Sequence, residues 1–325
     1  MKRLGRRQAA GLGLTVVFGL AMLFLSTMVQ GQELVFQFSL EGPAPDRDFV
    51  DPTSLFYDSK FQRIYVYDHG DGKIFGFTLL GANVGEMDAS GPAAVDLDGR
   101  FYVIDEGGSS VKIQRFTTLI REKDFTSIGG RNKIEFSRIC RDEKNQFYLV
   151  DRGNQRVLVV DSNLNLIRTI GGPERENGEI LEIGAVAVDR RGTVYISDSK
   201  GAPIHIFGRV DGRPPRNIGI NGFSDSTYSN PSGLAVDRMG QIWVADSNAG
   251  KVKVGDSSGW VNKVFGEYGQ GRGQFFKPVD IAVDIYSRVF VLERGTKRLQ
   301  SFIQKDPNHP YRMKQEQIDW LGSGR

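Results

Sequence analysis

A short apolar run ending in aspartate recurs along this chain. It reads Leu55-Phe56-Tyr57-Asp58, Ala94-Val95-Asp96, Ile139-Cys140-Arg141-Asp142, Val186-Ala187-Val188-Asp189, Leu234-Ala235-Val236-Asp237 and Ile281-Ala282-Val283-Asp284. The aspartates stand 38, 46, 47, 48 and 47 residues apart. Nine or ten residues after each comes a second acid, giving a second ladder of Asp68, Asp105, Asp151, Asp198, Asp246 and Glu293. The run before that acid is rich in β-branched and aromatic residues, as in Phe147-Tyr148-Leu149-Val150 and Val289-Phe290-Val291-Leu292. Two ladders in register over some 240 residues define a repeat, and a period near 47 is that of four-stranded propeller blades.

Each unit reads as four short strands. The first ends in the first acid. In three units a turn of the form Asp-x-x-Gly follows, at Asp96 to Gly99, Asp189 to Gly192 and Asp237 to Gly240. The aspartate oxygen accepts from backbone N–H groups of such a turn, and glycine supplies the positive φ. Asn145 takes the glycine position in the third unit, whereas Phe61 and Ser287 stand there in the first and sixth. A four-stranded unit cannot bury both faces alone, and a closed ring of units can.

The expected fold is therefore all-β, a six-bladed β-propeller. Its blades lie near 51–87, 88–134, 135–181, 182–229, 230–276 and 277–325, within one domain spanning 32–325. The segment Glu33–Leu40 is a spare strand with Leu34, Phe36, Phe38 and Leu40 on one face. It is the expected closing strand of the last blade. Tyr311–Leu321 is the competing one.

Residues 1–32 hold no acid, carry Lys2, Arg3, Arg6 and Arg7, and continue into an apolar run. A secretory signal peptide over 1–31 fits this pattern, with cleavage after Val29-Gln30-Gly31. An uncleaved membrane anchor over residues 9–28 is the alternative. The protein is then expected to be exported, periplasmic or extracellular, or else held at the inner membrane. Without the leader, 38 basic residues face 39 acidic ones, and this balance argues against a nucleic-acid partner. The single cysteine, Cys140, excludes a disulfide framework and a cysteine zinc site.

Two stretches resemble NHL repeats. One is Val264-Phe265-Gly266-Glu267-Tyr268-Gly269-Gln270-Gly271-Arg272-Gly273-Gln274-Phe275, followed by Lys277-Pro278 and Ile281-Ala282-Val283-Asp284. The other is Leu149-Val150-Asp151-Arg152-Gly153-Asn154-Gln155-Arg156-Val157, the acid-x-x-Asn-x-Arg pattern of that family. The resemblance covers about residues 51–305 and implies a six-bladed propeller of the exported bacterial type. It does not imply one activity, because the family includes protein-binding domains, RNA-binding domains and secreted peptidyl-hydroxyglycine lyases.

The twelve ladder acids are read as structural, since the repeat itself accounts for them. Arg156 and Arg298 are read as reaching neighbouring blades in structural ion pairs. A propeller zinc lyase needs converging imidazoles, but His69, His205 and His309 share no repeat position. A lactonase-type site would hold a divalent cation at the channel mouth by carboxylates and asparagine, and Glu41-Gly42-Pro43 lies too early to supply it. Cys140 is read as a buried thiol. The expected function is that of a non-catalytic binding or scaffold module for another envelope or secreted protein, without a cofactor. The alternative is a secreted metal-dependent lactonase or lyase.

The candidate binding residues are Arg138, Asp280, Arg152 and Asn154. Four residues before the first-ladder acids stand Ser54, Pro92, Arg138, Ala185, Gly233 and Asp280. Only the third and sixth blades carry a charge there, of opposite sign, as solvated residues on the channel rim.

Overall fold

A computed structural model of the chain describes residues 27–29, 32–172, 180–208 and 215–305. These residues form six antiparallel sheets arranged as blades. The first blade runs Pro52–Asp58, Arg63–Asp68, Lys73–Thr78 and Asn83–Asp88. The next four begin at Ala93–Val95, Phe136–Arg141, Ile183–Val188 and Pro231–Val236, and each repeats the four-strand meander. The sixth takes Pro278–Val283, Arg288–Glu293 and Arg298–Lys305 from the end of the described chain. The strand Gln32–Leu40 completes it from the beginning, pairing antiparallel with Arg298–Lys305, and Thr27–Val29 adds a short edge. Among the described residues no helix is long and apolar enough to cross a membrane. The leader, the anchor and the alternative closing segment Tyr311–Leu321 fall outside the described residues.

The core is six clusters, each drawn from two neighbouring blades. The pairing runs all the way round, so the sixth blade packs on the first through Phe290, Leu292, Phe75 and Phe77. Residues on the second strands alternate between the blade before and the blade after. In the third blade Phe147 and Leu149 face back, and Tyr148 and Val150 face forward. Period-2 patterning with both faces apolar thus becomes ring closure.

The two acid ladders hold the turns. The first acids accept backbone N–H groups two and four residues on, as Asp142 does from Lys144 at 2.9 Å and Gln146 at 2.8 Å. Residue i+3 takes positive φ at Gly99, Asn145, Gly192, Gly240 and Ser287. The first blade differs. Its turn is one residue longer, and the positive φ falls on Gln62 rather than Phe61. The second acids are buried, apart from Asp105, and five of the six reach back to amides 16–18 residues earlier, in the segment that leads into their blade's first strand. Asp198 accepts from Leu181 N and Glu182 N at 2.8 and 2.9 Å, and Asp246 from Ser229 N and Asn230 N at 2.9 Å each.

The closing strand departs from simple alternation. A β-bulge lies between Phe36 and Phe38, which pair with Phe302 and Ser301. The extra residue, Gln37, turns the strand over. Leu34 and Phe36 pack into the cluster between blades five and six, whereas Phe38 and Leu40 pack into the one between six and one. The four apolar residues therefore do not share one face. They secure the sixth blade to both neighbours.

Candidate functional site

The first strand of each blade lines a central channel. Arg138 and Asp280 do not stand on its rim as separate solvated charges. They meet inside it, Arg138 Nη1 donating to Asp280 Oδ2 at 2.6 Å, with side chains 19% and 8% exposed. Six-fold geometry places blades three and six opposite one another, and the long guanidinium arm crosses the gap. Arg138 Nη2 also donates to the carbonyls of Val279 at 3.0 Å and Ser232 at 3.4 Å, in blades six and five. Asp280 Oδ2 accepts Leu55 N of blade one at 2.8 Å, and its Oδ1 accepts Ile281 N at 3.0 Å. One ion pair thus ties four blades. Burial pushes the Asp280 carboxyl above its ordinary range, against the opposing pull of Arg138. Gly233 allows this approach, because a Cβ there would lie 2.7 Å from the Asp280 Cα.

The pair divides the channel. On the loop face opens a mouth of about 430 Å³, lined by Arg138, Arg152, Glu182, Ser199, Asn230 and Arg294 among others. On the turn face lies a narrower space of about 200 Å³ that includes Cys140, Arg141 and Asp58. Cys140, expected to be buried, is only partly so where it lines this space, and desolvation by its surroundings still pushes the thiol pKa up.

Arg152 projects into the mouth from the 3₁₀ turn Arg152–Asn154 and is exposed. No hydrogen bond or ion pair engages its side chain among the described residues. Nearby, Arg294 is held by Asp51 through two contacts of 2.6 and 2.8 Å. Glu182 accepts Ser199 Oγ at 2.5 Å and has Lys200 at 3.5 Å, and the Ser199 bond first of all lowers its carboxyl pKa. Among the described residues lining the mouth, Arg152 is thus the guanidinium held by no hydrogen bond or ion pair, although its charge also helps lower the Glu182 carboxyl.

Asn154, expected beside Arg152 as a binding residue, is not available. It is 3% exposed, and its amide donates to Asp151 Oδ2 at 2.9 Å and Asn132 O at 3.0 Å while accepting Asn132 N at 2.8 Å. The acid-x-x-Asn-x-Arg spacing is a loop clamp. Arg156 Nε meets Asp151 at 2.8 Å and Nη1 meets Gly129 O at 2.6 Å, and Arg298 binds Glu293 and the Gln270, Gly271 and Gln274 carbonyls likewise. Their ion-pair partners lie in their own blades, and the inter-blade loops are gripped through carbonyls.

Two buried bases extend this theme. Lys253 pairs with Asp246 at 2.8 Å, donates to Ser224 O at 3.1 Å and to Thr227 O, and lies over the Tyr228 ring. His205 Nε2 lies 3.1 Å from Asp198. Burial raises the Asp198 carboxyl, but the His205 contact and the Leu181, Gly201 and Lys200 amides outweigh it and hold it well below the usual range. Both bases, like Gln300, stand seven residues after the second acid. Aligning the units at that offset would have found Lys253. His69 lies beside Tyr67 at 3.3 Å, remote from His205, and His309 is outside the described residues.

The mouth does not fit a divalent cation. It offers one carboxylate, Glu182, and one carboxamide, Asn230, beside three guanidinium groups. Among the described residues no three His, Cys, Asp or Glu side chains form a group that could hold a metal ion.

Comparison with known proteins agrees with the fold. The NHL repeat model matches residues 228–254. NHL repeat-containing protein 3 of Mus musculus is 31% identical over 159 residues, 47% of this chain and 40% of that protein. The chain thus spans about two fifths of the length of this curated relative. A gluconolactonase from Xanthomonas campestris superposes with a TM-score of 0.61 at 14% identity, covering 84% of this chain and 90% of the other. Virginiamycin B lyase from Staphylococcus aureus gives 0.55 at 12% identity, covering 86% and 90%. At these identities the structures share an architecture only.

Proposed function

We propose, from the premise that this chain is an NHL-repeat six-bladed β-propeller, that it is an exported, non-catalytic binding module. It acts in the periplasm or outside the cell and recognises another envelope or secreted protein at the loop-face mouth. The observation that carries this reading is Arg152, an exposed guanidinium with no hydrogen bond or ion pair among the described residues, over a cavity of about 430 Å³. Arg138, held by Asp280, lines the floor of that cavity. A partner carboxylate suits the site, because guanidinium binds it in a bidentate fork. Rigid walls from four blades preorganise the contact.

The lactonase or lyase alternative has the shared fold behind it and no matching donors at the mouth. Replacing Arg152 by Ala, and separately by Glu, tests the proposal. Both should leave the melting temperature within about 1–2 °C, because an exposed unpaired charge contributes little to stability. Capture of the envelope partner by the immobilised propeller should fall with Ala and fall further with Glu. Equal capture by all three proteins would exclude the mouth as the binding site.

A further inference from the structure

The first blade departs from the repeat by one residue, and the departure leaves a buried carboxylate oxygen beside the channel without a partner. Between first and second acids there are nine steps in five blades and ten from Asp58 to Asp68. In the five regular blades the Oδ2 atom of the first acid is satisfied by side chains. Asp96 takes Arg100 Nε at 2.6 Å, Asp142 takes Tyr148 Oη at 3.2 Å and Asp189 takes Tyr195 Oη at 3.5 Å. Asp237 takes Trp243 Nε1 at 3.0 Å, and Asp284 takes Arg288 Nε at 2.7 Å. Counted back from the second acid, the first-blade counterparts of these donors are Arg63 and Tyr65. The extra residue at 62 moves both out of reach. Asp58 Oδ1 still accepts Lys60 N at 2.9 Å and Phe61 N at 3.4 Å, but Oδ2 has no partner although the residue is 2% exposed.

Asp58 is the first-ladder acid that lines the lower channel. Arg141 lines it too. Its Nε donates to Val95 O at 2.7 Å and its Nη1 to Asp142 O at 2.9 Å, but no carboxylate stands within ion-pair distance of it among the described residues. The two opposite charges are near enough for Arg141 to pull on the Asp58 carboxyl, yet they form no direct pair. Between them lies the space of about 200 Å³, walled by Cys140, Ala187, Val188 and Val236 and closed at its far end by Arg138 and Asp280. At about 30 Å³ per water in the liquid, it admits a molecule of about six or seven non-hydrogen atoms.

We propose that this lower channel binds a small zwitterion of α-amino-acid size, its ammonium on Asp58 Oδ2 and its carboxylate on Arg141. The zwitterion supplies the buried Asp58 Oδ2 with a hydrogen bond and a counter-charge, and the partly buried Arg141 with a carboxylate in place of bonds to carbonyls alone. This site is separate from the loop-face mouth and opens on the other side of the Arg138–Asp280 pair.

The test is titration of the full chain with glycine and L-alanine, with methylamine and acetate as half-molecules, followed by calorimetry or ligand-observed NMR. Asp58→Asn keeps the Oδ1 acceptor of the turn and replaces the free acceptor by a donor. Deleting Gln62 together with Phe61→Gly restores the regular turn and returns Arg63 and Tyr65 to Asp58. Saturable binding of the amino acids is expected, at least tenfold weaker for each half-molecule and at least tenfold weaker in both variants, while Arg152→Ala binds as the wild type does. No saturable binding of glycine or L-alanine to the wild type would overturn the proposal. So would unchanged binding in either turn variant. Methylamine binding as tightly as glycine would overturn the zwitterion assignment by removing Arg141 from it.

Discussion

Ring closure by the strand Gln32–Leu40 can be tested residue by residue. Leu34 is 4% exposed and packs with Trp243, Val252 and Phe302 on the side of blade five, whereas Phe38 is half-buried against blade one. Truncating a buried Leu to Ala costs about 2–5 kcal/mol. Half-burial brings the Phe38→Ala cost to about 2 kcal/mol, roughly half the value for a fully buried Phe. The two sites lie in different clusters, so their effects should add to about 4–7 kcal/mol within roughly 0.5 kcal/mol. That is a large part of the roughly 5–15 kcal/mol holding a typical domain. Deleting Gln37 is the informative control. The pairs Phe36–Phe302 and Phe38–Ser301 survive that deletion, so it should cost less than either alanine. Urea unfolding read by tryptophan fluorescence, at unchanged m, measures the four variants against the wild type. If Gln37 deletion were as damaging as the double alanine, the two-sided arrangement would be wrong and a single continuous face would have to be buried.

Asp58→Asn should raise the melting temperature at pH 7. Burial foremost raises the Asp58 pKa in the fold, so the stability its protonated form contributes is present below the unfolded value near 3.9 and lost as pH rises through the folded value. The difference between variant and wild type should therefore shrink towards pH 3, and a gain that is constant with pH would refute the assignment. Lys253→Met leaves Asp246 buried without its cation and should cost about 3–5 kcal/mol in urea unfolding. A loss under 1 kcal/mol would show that the Ser229 and backbone bonds suffice for Asp246. Cys140 lines the lower channel and is only partly buried, but its raised thiol pKa leaves little thiolate, so iodoacetamide at pH 8 should alkylate it far more slowly in the native than in the unfolded protein. Native labelling as fast as in the unfolded protein would refute the raised thiol pKa.

Much of the architecture is legible in the sequence because its causes are local. The turns need an acid, two amides and a residue tolerant of positive φ within five positions, and that spacing is written into each unit. The 47-residue period and the doubly apolar second strands then require a closed ring, since neither face can be left to water. What the sequence leaves open depends on how the ring shuts. Arg138 and Asp280 are 142 residues apart and show only as two odd charges. Only the tertiary structure reveals them as one buried pair, because a six-fold closure sets blades three and six opposite one another. Asn154 looks like a loop residue free to bind, and its amide is used up by a loop 22 residues away. The alternation of Leu34, Phe36, Phe38 and Leu40 predicts one face, and a bulge against Arg298–Lys305 divides it between two interfaces. Residue 62 is visible as one added step between two acids, but its effect is not: whether Asp58 Oδ2 meets a donor is decided by a few ångströms of displacement. Short-range hydrogen bonding and periodicity determine the blade, and long-range packing decides which polar groups the closed ring leaves unsatisfied.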